Sequence, residues 1–321
     1  MCTCIMVKNK NTYFGRNMDL HYSFDERVII VPRNFKLSFK LLDCITNHYA
    51  IIGIGTVVDN YPLFAEASNE KGLSIAALNF MGNAFYYQIN NKKINLAPYE
   101  LFTYLLAKFK TINEVKKFLK RANIVDINFN EKTLLTPLHF MISDKNSSIV
   151  LESCEDGLHV YDNPYNVLTN NPIFPYHKEN VKNYMHLSIE DPKDNFNLGL
   201  SSFSYNQGCF GLPGDFSSSS RFVKALFIKN NMSLINNELD SIRQFFYCLE
   251  SVRMVIGLVK VENTYEYSRY TSCINVDKSI LYYKTYEGGT INKIDMHTYD
   301  LNNDKLYKIK LDYTLNIKEN I

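Results

Sequence analysis

The N-terminal third of the chain alternates short apolar runs with polar turns, a pattern typical of β-strands. Segments CTCIMV and TYFGR flank the polar turn KNKN, and this arrangement predicts a β-hairpin. If residues 7 and 12 pair across the turn, Cys2 lies opposite Asn17, within one residue. The hairpin therefore carries residues 15–19 back to the beginning of the chain. Further strands are predicted in RVIIVPR, HYAIIGIGTVV and GLSIAALNF.

Apolar residues at helical spacing follow in the middle of the chain. PYELFTYLLAKF and TINEVKKFLKRA predict two helices, and Thr111 and Glu114 are spaced as a capping box at the second. Two later helices are predicted in SSSSRFVKALFI and LDSIRQFFYCLESVRMV. Strands are predicted in LHFMIS, SSIVLES and NVLTNNP, a hairpin in YTSCINV and SILYYKTYE, and a last strand in TINKIDM. Helices grouped between blocks of strands indicate the α+β class, and no linker divides the single domain predicted over residues 1–321.

Composition and charge exclude several function classes. The net charge is +2 and basic residues form no stripe with interleaved aromatics, so nucleic acid is not an expected partner. No apolar run approaches the roughly 18–20 residues that cross a bilayer. Seven cysteines without a disulfide-like spacing or an export signal indicate a reducing cytoplasm. The segment GIGTVV lacks the third glycine of a dinucleotide site, so no such cofactor is predicted.

The candidate chemistry lies at the very beginning of the chain, where Cys2 follows Met1. Removal of Met1 would leave a thiol and a free α-amine on one residue. A neutral amine, with a pKa near 7.7–8.0, can accept the proton of a thiol whose pKa is about 8.5. Arg16 would favour the thiolate and Asp19 could orient the amine. On hairpin geometry alone, a surface salt bridge between Arg16 and Asp19 is an equally good interpretation.

Six segments, in order along nearly the whole chain, resemble the choloylglycine hydrolases, which include bile salt hydrolases and penicillin V acylases. They are MCT at the start, YFGRNMD at 13–19, NEKGLSIAALNF at 69–80, VLTNNP at 167–172, GLPGDFSSSSRF at 211–222 and YTSC at 270–273. The resemblance implies an N-terminal nucleophile hydrolase fold, an αββα sandwich of two antiparallel sheets between helical layers. It also implies cleavage of non-peptide C–N amide bonds without a cofactor, by a homotetramer.

The same resemblance assigns roles to six residues. Cys2 resembles the nucleophile with its own α-amine as base, Arg16 the residue beside the thiol, and Asp19 the residue that binds the amine. The oxyanion hole would use the side chain of Asn170 and the backbone N–H of Asn79. The second active-site arginine would be Arg221. Taken singly, the last three also fit a turn, a strand end and a solvated helix residue.

The substrate implied by the resemblance is a glycine- or taurine-conjugated bile salt. Asn79 and the segments at 25–36 and 61–73 resemble the bile salt branch, and the alternative is a penicillin V or N-acyl homoserine lactone acylase. A steroid needs an apolar pocket. Loop position and resemblance nominate seven pocket residues, for each of which core packing is an equal alternative: Met18, Leu20, Tyr22, Val58, Phe80, Phe129 and Leu134.

A different class of function rests on Cys4. Cys2 and Cys4, with His21 or His48, could bind a metal or respond to oxidation. Their spacing matches no common zinc pattern, so no metal is predicted. If residues 2–7 form a strand, Cys4 shares a face with Cys2. A small buried apolar role is favoured for Cys4, and a disulfide with oxidised Cys2 is the sharper hypothesis.

Overall fold

The structure is a computed structural model that describes residues 1–234 and 237–319. The helices are α1 Glu100–Lys108, α2 Ile112–Leu119, α3 Phe174–Asn180, α4 Ser218–Asn231 and α5 Glu238–Glu250. The strands are β1 Cys2–Lys8, β2 Thr12–Leu20, β3 Arg27–Val31, β4 Ile51–Val58, β5 Tyr61–Asn69, β6 Ser74–Asn79, β7 Ile94–Leu96, β8 Ala122–Ile124, β9 Leu138–Ser143, β10 Ser148–Cys154, β11 Gly157–Asp162, β12 Val167–Leu168, β13 Val259–Val261, β14 Thr264–Asn275, β15 Ile280–Thr285, β16 Asn292–Asp295 and β17 Tyr307–Lys310.

Two antiparallel sheets stack face to face at the centre of the fold. The first has the order β12-β1-β2-β14-β15-β16, with β13 paired to β14. The second has the order β11-β10-β9-β6-β5-β4-β3-β17. Helix α4 packs against β1 and α5 against β2 and β14, whereas α1 packs against β5 of the second sheet. This is the αββα arrangement that the resemblance implies.

Strand β3 shows how the alternation of apolar side chains builds two cores. Val28 and Ile30 belong to a buried cluster that joins the two sheets and also includes side chains of α4 and α5. Ile29 and Val31 belong to a second cluster together with α1. Successive side chains of a strand point to opposite faces, so a strand that is apolar at every position is buried on both sides.

Three local predictions are confirmed at residue level. In the β1–β2 hairpin Cys2 pairs with Met18, one residue from Asn17 and within the expected tolerance. Helix α2 begins with the capping box, in which the Glu114 N–H donates to Thr111 Oγ1 at 3.3 Å and the Thr111 N–H donates to Glu114 Oε2 at 3.0 Å. The β14–β15 hairpin is also as predicted.

Two expectations about elements were wrong, and three elements were missed. TINKIDM is not the last strand, because β17 follows it and pairs with β3. Helix α5 ends at Glu250, and the chain then turns so that the Met254 N–H donates to Ser268 Oγ at 2.9 Å. Strands β5 and β11 and helix α3 were not predicted, since Pro62 at the second position of β5 disfavours a strand, β11 is only half-buried and α3 has seven residues.

The two glycines of GIGTVV have a packing role in β4. A Cβ atom on Gly53 would collide with the backbone carbonyl oxygen of Glu66 on the neighbouring strand. We therefore expect Gly53→Ala to lower the free energy of unfolding by about 1–3 kcal/mol, the usual cost of overpacking. Gly214→Ala is the matched control, because its Cβ would meet nothing within 4 Å. Urea unfolding of both variants checks this, and equal stabilities would contradict it.

The seven cysteines are all free thiols, and Cys2, Cys4, Cys248 and Cys273 are buried. Within residues 1–234 and 237–319, no helix is both long and apolar enough to cross a membrane.

Candidate active site

Cys2 lies at the first position of β1, an interior strand between β12 and β2. Across the first sheet it pairs with Met18, which in turn pairs with Tyr270 on β14. Only 3% of the Cys2 surface is exposed. The hairpin thus buries the thiol between the sheets and brings β2 alongside it.

Arg221 and Asn170 contact the backbone of Cys2 from α4 and from the loop after β12. The Cys2 N–H donates to Asn170 Oδ1 at 2.6 Å. Arg221 donates through Nη1 to the Cys2 carbonyl and to Thr3 Oγ1, both at 2.6 Å, and through Nη2 to Asn170 Oδ1 at 3.0 Å. Arg221 is fully buried, so the alternative interpretation of Arg221 as a solvated residue of a helix is wrong.

Asn79 and Asn170 meet beside this group. Asn170 Nδ2 donates to the backbone carbonyl of Asn79, the last residue of β6, at 2.8 Å. The Asn170 backbone is itself held, because its N–H donates to Ser218 Oγ at 2.8 Å and its carbonyl lies 2.9 Å from His177 Nε2. An amide side chain with a fixed backbone is suited to hydrogen-bonding an oxyanion at a defined place.

Asp19 offers an unused acceptor at the same end of the hairpin. Its carboxylate is fully buried, and Oδ1 accepts from Ser268 Oγ at 2.5 Å. Oδ2 lies 4.0 Å from Arg221 Nη1 and finds no hydrogen-bond donor in the part of the chain that the structure describes. The Met1 amine donates to the Asp19 carbonyl at 3.0 Å and pairs with Glu266, and burial lowers the pKa of this amine.

Arg16 is buried on β2 with its guanidinium between the two sheets. Nη1 donates to the carbonyls of Ala65, at 3.2 Å, and Ala77, and Nε lies 3.9 Å from Glu66 Oε2. Burial lowers the pKa of Arg16, but its anionic neighbours, Cys2 foremost, raise it above its ordinary value overall. A guanidinium held in this way is cationic and favours a thiolate at Cys2.

A second buried group holds the loop that carries Asn170. The ring of His139 lies between Glu152 Oε1, 3.1 Å from Nδ1, and the Thr169 carbonyl, 2.9 Å from Nε2. Glu152 Oε1 also accepts from the Phe174 N–H at 3.0 Å. The sequence analysis did not nominate His139 or Glu152. The available signal was one charge-bearing residue in each of two strands whose other residues carry no charge.

His177 makes the stability of this loop sensitive to acid. Burial lowers the pKa of His177 to about 4, against about 6.5 for an unfolded histidine. The unfolded chain therefore binds a proton that the folded chain does not, and we expect stability to fall as the pH drops from 6.5 toward 4. Urea unfolding across this range should show a shallower decline for His177→Gln. The control Asn171→Ala changes no titratable group in the same loop and should retain the wild-type slope.

The residues predicted to line the substrate pocket lie in different parts of the structure. Met18 is buried next to Cys2, and Leu20 packs against the cluster between the sheets. Phe80 has no exposed surface and stacks on His139 with ring centroids 4.3 Å apart, so the core-packing alternative describes it. Tyr22 is half exposed.

Phe129 and Leu134 line one cavity of about 140 Å³ beneath the segment 128–136. Val58 ends strand β4 in the adjoining hairpin, which is tied to this segment by the hydrogen bond from Asn130 Nδ2 to Asp59 Oδ2 at 3.0 Å. The segment leads into Pro137, whose carbonyl accepts the N–H of Phe80, one residue after Asn79. The structure thus brings Val58, Phe129 and Leu134 to one end of the second sheet, near Asn79.

The metal interpretation of Cys4 finds no support in the geometry. Cys4 is fully buried, and burial raises the pKa of its thiol far above the ordinary value, which disfavours the thiolate that a metal needs. His48 is engaged elsewhere, with its ring nitrogens 2.7 and 2.8 Å from the carbonyls of Tyr49 and Phe35. Across the described residues, no group of three or more metal-ligating side chains is found.

Comparison with known protein families and relatives gives one consistent result. The family described as linear amide C–N hydrolases, choloylglycine hydrolase family, matches residues 2–309. A bile salt hydrolase/transferase of Lactiplantibacillus plantarum is 45% identical over 97% of each chain. One of Clostridium perfringens is 41% identical over 99% of each chain.

Solved structures agree with the observed architecture. A mutant of the conjugated bile acid hydrolase from Clostridium perfringens superimposes with a TM-score of 0.91 at 40% identity, covering 99% of each chain. The penicillin V acylase from Agrobacterium tumefaciens superimposes with a TM-score of 0.76 at 19% identity, covering 97% of this chain and 91% of that chain. At that identity the second likeness concerns the fold alone.

Proposed function

The chain belongs to the choloylglycine hydrolase family of linear amide C–N hydrolases, and from this premise we propose that it hydrolyses glycine- and taurine-conjugated bile salts. The products are the free bile acid and glycine or taurine. The observation that carries the proposal is the convergence on Cys2 of four buried side chains from strand β2, helix α4 and the loop after β12. They are Arg16, Asp19, Asn170 and Arg221.

In the proposed first step, removal of Met1 frees the α-amine of Cys2. The neutral amine takes the thiol proton, and the sulfur attacks the carbonyl carbon of the substrate amide. Asp19 Oδ2 supplies the acceptor that orients the amine, and Arg16 favours the thiolate. The oxyanion is stabilised by Asn170 Nδ2 and the backbone N–H of Asn79, which requires Asn170 Nδ2 to exchange its bond to the Asn79 carbonyl for the oxyanion.

In the proposed second step, the C–N bond breaks as the α-ammonium gives its proton to the leaving glycine or taurine nitrogen. Cys2 then holds the bile acid as a thioester. The same amine, neutral again, takes a proton from water while the water oxygen attacks the thioester carbonyl. The thiolate leaves and recovers its proton, which completes the cycle without an external cofactor.

A specificity panel tests the proposal. The purified protein is incubated with glycocholate, taurocholate, penicillin V and an N-acyl homoserine lactone, and free amine is quantified. We expect the two bile salts to be turned over with the highest kcat/KM. Intact mass and N-terminal sequencing are measured on the same sample. Absence of bile salt turnover by protein that begins at Cys2 would refute the proposal.

Three finer statements belong to the same proposal. The bile salt steroid binds against Met18, Leu20 and the apolar group of Val58, Phe129 and Leu134. The enzyme acts in the cytoplasm, consistent with seven free thiols, and assembles as a homotetramer. Light scattering of the purified protein measures the assembly directly, and a monomeric mass would exclude the tetramer.

A further inference from the structure

Glu66 is a buried acid that none of the proposed steps uses. It lies on β5 of the second sheet, fully buried, and faces the side of the first sheet that carries Arg16. Its Oε2 accepts a hydrogen bond from the Tyr270 hydroxyl at 3.0 Å. A carboxylate in such a place costs several kcal/mol of desolvation unless a partner offsets it, so its presence calls for an explanation.

The partner is Arg16, but the two groups do not form a tight ion pair. Arg16 Nε and Glu66 Oε2 are 3.9 Å apart, beyond hydrogen-bond distance. Arg16 Nη2 and Glu66 Oε1 each lack a hydrogen-bond partner within the described residues. A pair built only for stability would satisfy these atoms. The open arrangement leaves the charge of Arg16 divided between Glu66 on one sheet and Cys2 on the other.

The position of Tyr270 joins Glu66 to the nucleophile. Tyr270 pairs with Met18 across β14 and β2, and Met18 pairs with Cys2 across β2 and β1. The three residues therefore form one row across the first sheet. Tyr270 reaches from this row to Glu66 on the facing sheet, and it fixes the carboxylate beside Arg16.

We propose that Glu66 is a positioning residue that acts on Cys2 through Arg16. Its carboxylate, held by Tyr270, keeps the guanidinium between the sheets and offsets part of its charge, and thereby sets how strongly Arg16 favours the Cys2 thiolate. The inference rests on the proposed function, in which that thiolate attacks the substrate amide.

The direction of the effect follows from the charges that face Glu66. The charged and titratable groups that face Glu66 are Arg16 on β2, Tyr270 on β14 and the thiol of Cys4 on β1. Burial raises the pKa of Glu66 to about 7, although the charge of Arg16 and the hydrogen bond from Tyr270 lower it. A neutral residue at position 66 leaves the charge of Arg16 fully available to Cys2, so the thiolate forms at lower pH.

The experiment measures the pH at which the Cys2 thiol ionises, and it does not depend on catalytic turnover. The rate of Cys2 alkylation by iodoacetamide is followed against pH by peptide mass spectrometry, in the wild type and in Glu66→Gln. In Glu66→Gln we expect the midpoint of the alkylation rate against pH to lie about 0.5 pH units or more below the wild-type midpoint. On glycocholate, kcat should fall about tenfold with KM within twofold, because the guanidinium is less well placed.

Two further variants make the result decisive. Glu100→Gln removes a buried carboxylate of α1 that hydrogen-bonds only backbone N–H groups in the structure, and it should leave the midpoint unchanged. Tyr270→Phe removes the bond that holds Glu66, and it should move the midpoint in the same direction as Glu66→Gln if the latter does not fold. A wild-type midpoint in both Glu66→Gln and Tyr270→Phe, or an equal shift in Glu100→Gln, would overturn the inference. A shifted midpoint in a protein that hydrolyses no bile salt would refute the proposed function and leave the electrostatic effect of Glu66 standing.

Discussion

Replacing Cys2 by alanine is expected to lower kcat for glycocholate hydrolysis by at least about 10⁴-fold, because in the proposed mechanism the Cys2 sulfur forms the acyl intermediate. The fold should be retained, since alanine fits the buried position of Cys2 between the sheets. Amine release under single-turnover conditions and the circular dichroism spectrum measure the two quantities. A variant with residual activity within tenfold of the wild type would remove Cys2 from the mechanism.

The α-amine has a separate test. One alanine inserted between Met1 and Cys2 keeps the thiol but turns its base into an amide, so we expect a loss comparable to that of Cys2→Ala. Cys4→Ala is the matched control, because Cys4 is buried two residues along the same strand and the mechanism does not use it. Full activity in the insertion variant would mean that another group takes the thiol proton.

Asn170→Ala is expected to lower kcat about 10²–10³-fold, the usual effect of losing one oxyanion-hole donor. KM for glycocholate should change only a few-fold, since the donor acts mainly on the charge that develops in the transition state. Asn170 also accepts from the Cys2 N–H and Arg221, so thermal unfolding is measured alongside to separate a stability loss.

The neighbouring asparagine provides the control for this loss. Asn171 donates to the Met81 carbonyl near the surface and contacts neither Cys2 nor Arg221 in the structure. Asn171→Ala should therefore retain kcat within a few-fold of the wild type. Equal losses at the two positions would indicate that loop distortion, not a donor at Asn170, explains the effect.

Local sequence patterns predicted the structural features that depend on residues close together in the chain. The turn KNKN and its apolar flanks were enough to bring β2 beside Cys2, and the capping box was enough to start α2. Asn170 and Arg221 lie more than 160 residues from Cys2 along the chain. Only the resemblance to a family indicated that they lie close to Cys2 in space. Sequence spacing contains no information about which distant strands become neighbours.

The buried polar groups were the hardest to foresee. Glu66 and Glu152 each stand inside a strand whose other residues are mostly apolar, where a solvent-facing position is the ordinary expectation for a carboxylate. Their partners, Arg16 and Tyr270 for one and His139 for the other, come from other strands. Only the stacking of the sheets and the register of their strands reveal these pairs.

Because β1 is an interior strand, its two neighbouring strands are synthesised at different times. Strand β1 gains its neighbour β2 within seconds of its synthesis, but its other neighbour, β12, ends at Leu168. At about 5–20 residues per second, that edge stays open for roughly ten to thirty seconds. The proposed removal of Met1 needs an accessible amine, and in the folded chain that amine donates to the Asp19 carbonyl on β2 and pairs with Glu266 on β14. The proposed removal of Met1 is therefore expected on the nascent chain, before β14, which is made after β12, supplies Glu266. Slow excision would leave a folded but inactive fraction.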